Sequence, residues 1–159
     1  MVHEENCRWL WAAYKQAQQS PDPSTQVGAI IIDANGEVVS SAYNAPVVLG
    51  LGSILPKTIY MEHAERAAIY EAARRGLATT GLTMICTWAS CVECARAIVA
   101  SGIRTVVRHG DLIKKTPCRW YESINAGNKI FEAGGIEIIE IFGKINAPTI
   151  RFDSLPWAP

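Results

Sequence analysis

Two cysteines three residues apart, Cys91 and Cys94 in the stretch WASCVECARA, carry the side chains best suited to chemistry. They begin a predicted helix, where side chains at i and i+3 face the same way and the helix dipole favours thiolates. Alone, the pair fits a redox dithiol, half of a structural zinc site or part of a catalytic zinc site. A structural site needs two more ligands, and the sequence has no second C-x-x-C.

His63, in MEHAERAAIYEAARRG, is the candidate third ligand, since the chain has 3 histidines and this one also begins a predicted helix. A zinc ion between two neighbouring helix starts would bind His63, Cys91 and Cys94 and leave a fourth position for water. Zinc lowers the pKa of such a water from about 16 to roughly 7. Glu65 is placed to take a proton from that water and deliver it to a substrate nitrogen.

An H-x-E motif followed by C-x-x-C is the signature of zinc deaminases that act on cytosine or adenine. The simplest alternative makes His63 a capping or core histidine and Glu65 a favourable charge in a first helical turn. Another alternative is a non-catalytic scaffold in which zinc only holds the fold. The presence of Glu65 argues against that scaffold, because structural zinc does not need the carboxylate.

Alternating helix and strand patterns predict an α/β domain around these residues. Residues 5–19 have amphipathic helical spacing, and Asn35-Gly36 joins two β-rich runs as an antiparallel hairpin. Further helices are predicted over 61–75, 91–101 and 118–133, and strands over LTMICTW, RTVVRH and IEIIEIF. Right-handed crossovers make these last strands parallel, so the sheet should be mixed and five-stranded. Residues 44–60 are predicted to form a long loop of the kind that is often functional.

The composition indicates one globular domain over residues 1–159, with a core of about 5–141 and a tail over 142–159 that is suited to cover a surface or a partner subunit. Lys plus Arg equals Asp plus Glu at 15 each, so no net field favours a polynucleotide or an anionic membrane. No apolar run approaches the ~18 residues of a membrane span, and the start has no signal-peptide pattern. We therefore expect a cytoplasmic protein with reduced thiols.

The sequence resembles the deoxycytidylate deaminase family of the cytidine deaminase-like superfamily, over roughly residues 5–141. DPSTQVGAIIID and SSAYN resemble that family's first two strands, and HAE followed by CVEC matches its zinc motifs in order and spacing. The resemblance implies a three-layer α/β/α fold with Zn²⁺ between two helix starts. It also implies hydrolytic replacement of an exocyclic amine by a keto oxygen, with ammonia released.

The resemblance further implies how a small nucleotide or nucleoside would bind. Asn44 would bind a sugar hydroxyl, and the Ala64 N–H would meet the carbonyl of the base. Backbone carbonyls near Trp88 and Ala89 would accept from the leaving amine, and Thr25 would also contact the substrate. Trp88 fits a core role equally well. Such enzymes are commonly homo-oligomers, either dimers or hexamers.

Three departures from the family pattern concern the substrate. Pro21 stands where the family usually has a basic residue, Ala67 where an asparagine is frequent, and Ser90 where the first cysteine is normally preceded by proline. The first two weaken the inference of a 5′-phosphate on the substrate, for which Arg66 or a loop residue is a candidate replacement contact.

Ser90 also begins S-C-V-E, which satisfies the capping-box pattern and predicts reciprocal hydrogen bonds with Glu93. A neutral replacement and a substrate-contacting role are the other interpretations of Ser90. The leading hypothesis is a zinc-dependent hydrolase that converts deoxycytidylate (dCMP) to dUMP, with Glu65 as its catalytic acid and base. The second is deamination of another aminated base, nucleoside or modified nucleotide. Polynucleotide editing is disfavoured by the neutral charge.

Overall fold

The computed structural model describes residues 2–159, with the side chains of residues 4–159. Its helices are α1 (Val2–Ala17), α2 (Lys57–Tyr60), α3 (Ala64–Arg74), α4 (Val92–Ala100), α5 (Gly110–Ile113) and α6 (Tyr121–Ala133). Its strands are β1 (Gly28–Ile32), β2 (Val38–Tyr43), β3 (Ala45–Pro46), β4 (Met61–Glu62), β5 (Thr83–Cys86), β6 (Thr105–His109), β7 (Glu137–Ile141), β8 (Ile150–Phe152) and β9 (Leu155–Trp157).

A five-stranded mixed sheet in the order β2-β1-β5-β6-β7 forms the centre of the fold. Strand β1 is antiparallel to both β2 and β5, whereas β5, β6 and β7 are parallel. All five residues of β1 are buried, as expected for a central strand covered on both faces. The prediction of an antiparallel hairpin beside a parallel trio is confirmed.

Helices cover both faces of the sheet and make the three-layer α/β/α arrangement. Helix α1 packs on β1 through the predicted apolar stripe, in which Leu10, Ala13, Tyr14 and Ala17 are fully buried. The close approach requires Gly28, because a Cβ there would lie 2.1 Å from the Ala13 carbonyl oxygen. Helices α3, α4 and α6 form the other layer, with α4 packed between α3 and α6.

Several predicted boundaries are wrong. Helix α3 begins at Ala64 because residues 61–62 pair as β4 with β3, and Pro46 of β3 lies inside the predicted loop over 44–60. The predicted helix over 118–133 divides into a short 3₁₀ helix, Cys118–Trp120, and α6. Helix α5 and the strands β8 and β9 were not predicted, since such short elements show no hydrophobic period.

The tail folds back onto its own chain as the hairpin β8–β9. Its backbone meets the segment before β1, where Gln26 N donates to the Arg151 carbonyl and Ser154 N to the Ser24 carbonyl. Phe152 is buried in the same apolar cluster as Leu10. No helix among the described residues has the length and apolar content needed to cross a bilayer.

Candidate metal centre and active site

Three side chains that the sequence singled out, His63, Cys91 and Cys94, meet between the starts of two packed helices. His63 is the residue before α3, Cys91 is the residue before α4, and Cys94 lies in the first turn of α4. Nδ1 of His63 lies 3.4 Å from the Cys91 sulfur and 3.5 Å from the Cys94 sulfur, and all three ligand atoms lie within 4.8 Å of one another.

These separations fit a tetrahedral zinc ion. Zn–S bonds of about 2.3 Å and Zn–N bonds of about 2.0–2.1 Å place tetrahedral ligand atoms roughly 3.5–3.8 Å apart. One imidazole and two thiols also form the donor set of the known zinc deaminases. The residues present therefore fit zinc without a change of fold.

The two sulfurs are electrostatically unequal. Close contact with Cys94, followed by a hydrogen bond with His63, lowers the pKa of Cys91 to about 3 against the opposing effect of burial. The same interaction with Cys91, together with burial, raises the pKa of Cys94. The hydrogen bond with Cys91 raises the pKa of His63. The surroundings thus favour the thiolate form of Cys91, the protonation state that zinc requires of a cysteine.

Glu65 lies in the first turn of α3 and is 3% exposed. Its Oε2 is 3.5 Å from the Cys94 sulfur. Burial raises the pKa of Glu65, and the charge of His63 opposes that effect. A carboxyl group with a raised pKa beside a metal centre is suited to accept and return a proton near neutral pH.

A cavity of about 270 Å³ opens onto the centre and is lined by His63, Glu65 and Cys91. Its lining also includes five of the predicted substrate contacts, namely Thr25, Asn44, Ala64, Trp88 and Ala89. Ser90 is not among the lining residues. The fold thus brings nearly all of the candidate residues to one cavity, although they are distant in sequence.

Asn44 is held by the protein through both ends of its amide. Its Oδ1 accepts from Val27 N at 2.7 Å, and its Nδ2 donates to the Thr25 carbonyl at 2.8 Å and to Asp22 Oδ2 at 3.2 Å. These bonds fix the segment around Thr25 along one side of the cavity. The predicted contact of Asn44 with a sugar hydroxyl would have to share or replace one of them.

Aromatic side chains form a wall of the cavity, and the sequence analysis did not predict the contacts among them. Trp88 packs edge-on against Trp120 at 5.6 Å and against Phe152 of the tail at 5.0 Å. The Trp120 ring also lies 6.1 Å from that of His63, and Trp88 Nε1 donates to Thr116 Oγ1 at 2.9 Å. Trp88 is therefore both a core residue and a wall of the site.

Two cations line the cavity, and the sequence analysis named neither, although Lys57 lies within the predicted loop over 44–60. Lys57 Nζ lies 2.6 Å from Oδ2 of the buried Asp22, and Arg119 lies 2.5 Å from Asp153 of the tail. The sequence did not mark either residue as a binding residue. Lys57 follows an irregular segment, and Arg119 meets Asp153 only in the folded chain.

The predicted capping box at Ser90 is wrong. Cys91 is the residue that precedes α4, and no side chain of that residue caps the helix. The Val92 N–H donates instead to Ser123 Oγ of α6 at 3.1 Å, and Glu93 pairs with Arg96. The Ser90 side chain is turned into the protein, with 1% of the residue exposed. Its hydroxyl makes no hydrogen bond to the helix start, and Ser123 accepts from that backbone instead.

Comparison with known proteins agrees with this geometry. Residues 3–109 match the family described as the cytidine and deoxycytidylate deaminase zinc-binding region. The mouse deoxycytidylate deaminase (Mus musculus) is 28% identical over 95% of this chain and 87% of its own length. The deoxycytidylate deaminase of Enterobacteria phage T4 is 28% identical over 93% of this chain and 92% of its own. The crystal structure of apo dCMP deaminase from the cyanophage S-TIM5 shares the fold, with TM-score 0.70, 21% identity and coverage of 89% of this chain and 100% of that one.

The fold and the site together define a zinc-dependent hydrolytic deaminase, an enzyme that acts on a C–N bond. Within that class, the chain belongs to the cytidine and deoxycytidylate deaminase family, whose zinc-binding region spans both of its metal motifs.

Proposed function

We propose that this enzyme hydrolyses dCMP to dUMP and ammonia. The observation that carries the proposal is the meeting of His63, Cys91, Cys94 and Glu65 in one cluster, of which His63, Glu65 and Cys91 line the cavity. The similarity to deoxycytidylate deaminases over most of both chains supports dCMP as the substrate.

In the proposed mechanism, His63, Cys91 and Cys94 hold the zinc and Glu65 moves protons. Zinc, when bound, supplies a Lewis acid that lets water act as a nucleophile near neutral pH. Glu65 accepts a proton from the attacking water and passes it to a ring nitrogen. It then takes the second proton from the newly added hydroxyl group and delivers it to the exocyclic amine. A C–O bond replaces the C–N bond, ammonia leaves, and no net oxidation occurs.

The chain's other residues orient the base. The Ala64 N–H belongs to the first turn of α3, where backbone donors lack intrahelical acceptors, so it is free to meet the carbonyl of the base. Trp88 and Trp120 provide apolar walls for the ring, and the carbonyls near Trp88 and Ala89 accept from the leaving amine. Asn44 and Thr25 form the side of the cavity that would contact the sugar.

We assign recognition of the 5′-phosphate to Lys57 and Arg119, the cations that line the cavity. In this assignment, Lys57 and Arg119 take the role of the basic residue that the family usually has at the position of Pro21. Arg66, the other candidate, is paired with Glu62 beside the centre and is not among the lining residues.

A second candidate function is deamination of a nucleoside or free base. It is favoured by one observation, that Lys57 and Arg119 each already pair with a carboxylate. A phosphate would have to compete with Asp22 and Asp153 for these cations.

The deciding experiment measures ammonia release from cytosine, adenine and guanine compounds, each as base, nucleoside and monophosphate. We expect dCMP to have the highest kcat/KM, and Glu65→Ala serves as the inactive control. Faster turnover of a nucleoside than of any monophosphate would support the second candidate instead. Absence of turnover for every compound, with zinc bound, would favour the non-catalytic scaffold.

We further propose that residues 1–159 act as one cytoplasmic domain that does not bind polynucleotides and that self-associates as a dimer or hexamer. Self-association would cover apolar side chains exposed between residues 47 and 59, among them Leu49 at 90%, Ile54 at 75% and Ile59 at 67%. Light scattering during size-exclusion chromatography measures the assembly, and a monomer at working concentration would contradict it.

A further inference from the structure

The Ser90 hydroxyl is the only buried side-chain nitrogen or oxygen without a hydrogen-bond partner within residues 4–159. Ser90 directly precedes Cys91 and is 1% exposed, so solvent does not satisfy its hydroxyl either. Leaving a buried hydroxyl unpaired is unfavourable, and natural proteins rarely keep such a group without a use for it.

Two groups lie near this hydroxyl, the Glu65 carboxyl and the Cys86 thiol. Burial is the main influence on both and raises both pKa values, whereas Ser90 lowers them. Cys86 donates to the Trp88 carbonyl at 3.0 Å, so its proton is already used. Glu65 is therefore the acceptor open to Ser90, although no hydrogen bond joins the two side chains.

Glu65 Oε2 lies 3.5 Å from the Cys94 sulfur, which donates to it as a thiol. A bound zinc would hold Cys94 as a thiolate, and Cys94 would then have no proton to donate to Glu65. The carboxylate then lies beside an anionic sulfur and needs another donor. Ser90 is the buried donor left unused beside it.

We propose that Ser90 is a positioning residue, whose hydroxyl donates to the Glu65 carboxylate when zinc occupies the centre. Ser90 does not line the cavity, so it acts through Glu65 and not on the substrate. The hydroxyl is a departure from the family pattern, in which proline is usual at this position. The inference rests on the proposed function insofar as Glu65 carries the protons.

The test compares Ser90→Ala with the wild-type chain, with and without zinc. Without zinc, the Cys94 thiol remains the donor to Glu65, so we expect Ser90→Ala to leave the Tm unchanged or higher. In the zinc-loaded protein we expect a Tm about 2–4 °C lower than wild type, because one hydrogen bond to a charged group is lost. We expect kcat to fall about 10- to 100-fold with little change in KM.

Ser40→Ala is the matched control, since the buried Ser40 hydroxyl donates to the Ala68 carbonyl at 2.9 Å away from the centre. It should lower the Tm equally with and without zinc. Ser90→Thr keeps a hydroxyl and should restore kcat. If threonine is too large for the site, the double variant Ser90→Ala/Glu65→Ala tests the role of Ser90 instead. In a chain without the Glu65 carboxylate, Ser90→Ala should have no zinc-dependent effect on Tm.

An equal Tm change in both forms, or a zinc-dependent change that persists without Glu65, would overturn the role of Ser90. The Tm measurements need no turnover. A wild-type protein that binds zinc but releases no ammonia would therefore refute the proposed function, while the Tm cycle would still decide the role of Ser90.

Discussion

The Tyr14 hydroxyl lies 2.6 Å from Nδ1 of His109, and both side chains are buried. Trp157 Nε1 donates to the Tyr14 oxygen at 3.1 Å, and Nε2 of His109 lies 3.1 Å from the Gly143 carbonyl. A single assignment satisfies every group: Nε2–H donates to Gly143, and Nδ1 accepts from Tyr14. The network joins α1, β6 and the tail and requires a neutral His109.

This network predicts that acid destabilises the fold. Burial lowers the pKa of His109 below its ordinary value of 6.5, against the opposing effects of Gly143 and Asp111. Below pH 6.5 the unfolded chain therefore binds more protons than the folded chain, so stability decreases as the pH falls toward the lowered pKa. We expect the free energy of unfolding of the zinc-loaded protein to decrease between pH 7 and pH 5, by up to about 1.4 kcal/mol per unit of pH.

Urea unfolding at several pH values measures this dependence. The variant His109→Gln should be less stable at pH 7, since it disturbs the network, but its stability should vary less with pH. Parallel profiles for the variant and the wild-type chain would show that His109 does not cause the dependence.

Replacement of Glu65 should separate metal binding from catalysis. In Glu65→Ala and the isosteric Glu65→Gln we expect full zinc content, because the carboxylate is not one of the three ligands. Ammonia release should be abolished in the first and fall about 10²- to 10⁴-fold in the second, the range for loss of general acid–base catalysis. Metal analysis and an ammonia assay measure the two effects. The control is Glu71→Gln, which alters a carboxylate paired with Arg74 at the surface. Unchanged turnover in Glu65→Gln would refute the assigned role.

Removal of a metal ligand should abolish zinc binding as well as activity. Cys94→Ala is expected to lose the single zinc per chain and with it all activity, whereas Cys118→Ser, at an exposed cysteine, should retain both. A chelator should lower the Tm of the wild-type chain and leave that of Cys94→Ala unchanged, because only a folded chain with an intact site gains stability from the ion. A stoichiometric zinc content in Cys94→Ala would place the metal elsewhere.

Arg119→Ala and Lys57→Ala test phosphate recognition. Each should lower kcat/KM for dCMP about 10-fold or more, since a hydrogen bond between charged groups is lost, and should leave kcat/KM for deoxycytidine unchanged. Arg96→Ala removes a comparable exposed arginine–carboxylate pair that is not at the cavity and serves as control. Equal losses for nucleotide and nucleoside would mean that the two cations only support the shape of the cavity.

The residue spacing was sufficient to place the metal centre, because each motif begins a helix and two packed helices bring their starts together. His63 and Cys91 are therefore close although they are 28 positions apart in sequence. The strand pattern predicted the mixed sheet for a similar reason, since β1 is a continuous apolar run. The local pattern gave a wrong prediction at Ser90. The residue types fit a capping box, but the Ser90 hydroxyl is turned into the protein and does not cap the helix.

Tertiary contacts decided the remaining parts of the site. The position of Trp120 against His63 depends on how the segment after α5 crosses the centre, which no periodicity encodes. The turn between β8 and β9 uses Asp153 and Ser154 at positive φ, where glycine or asparagine would have been the expected signal.

Phe152 packs against Trp88, which lines the cavity, so the tail supports a residue of the cavity wall. The three metal ligands are synthesised before the tail, because all of them precede β8 in the chain. The packing around Trp88 is therefore completed only by the last part of the chain to leave the ribosome.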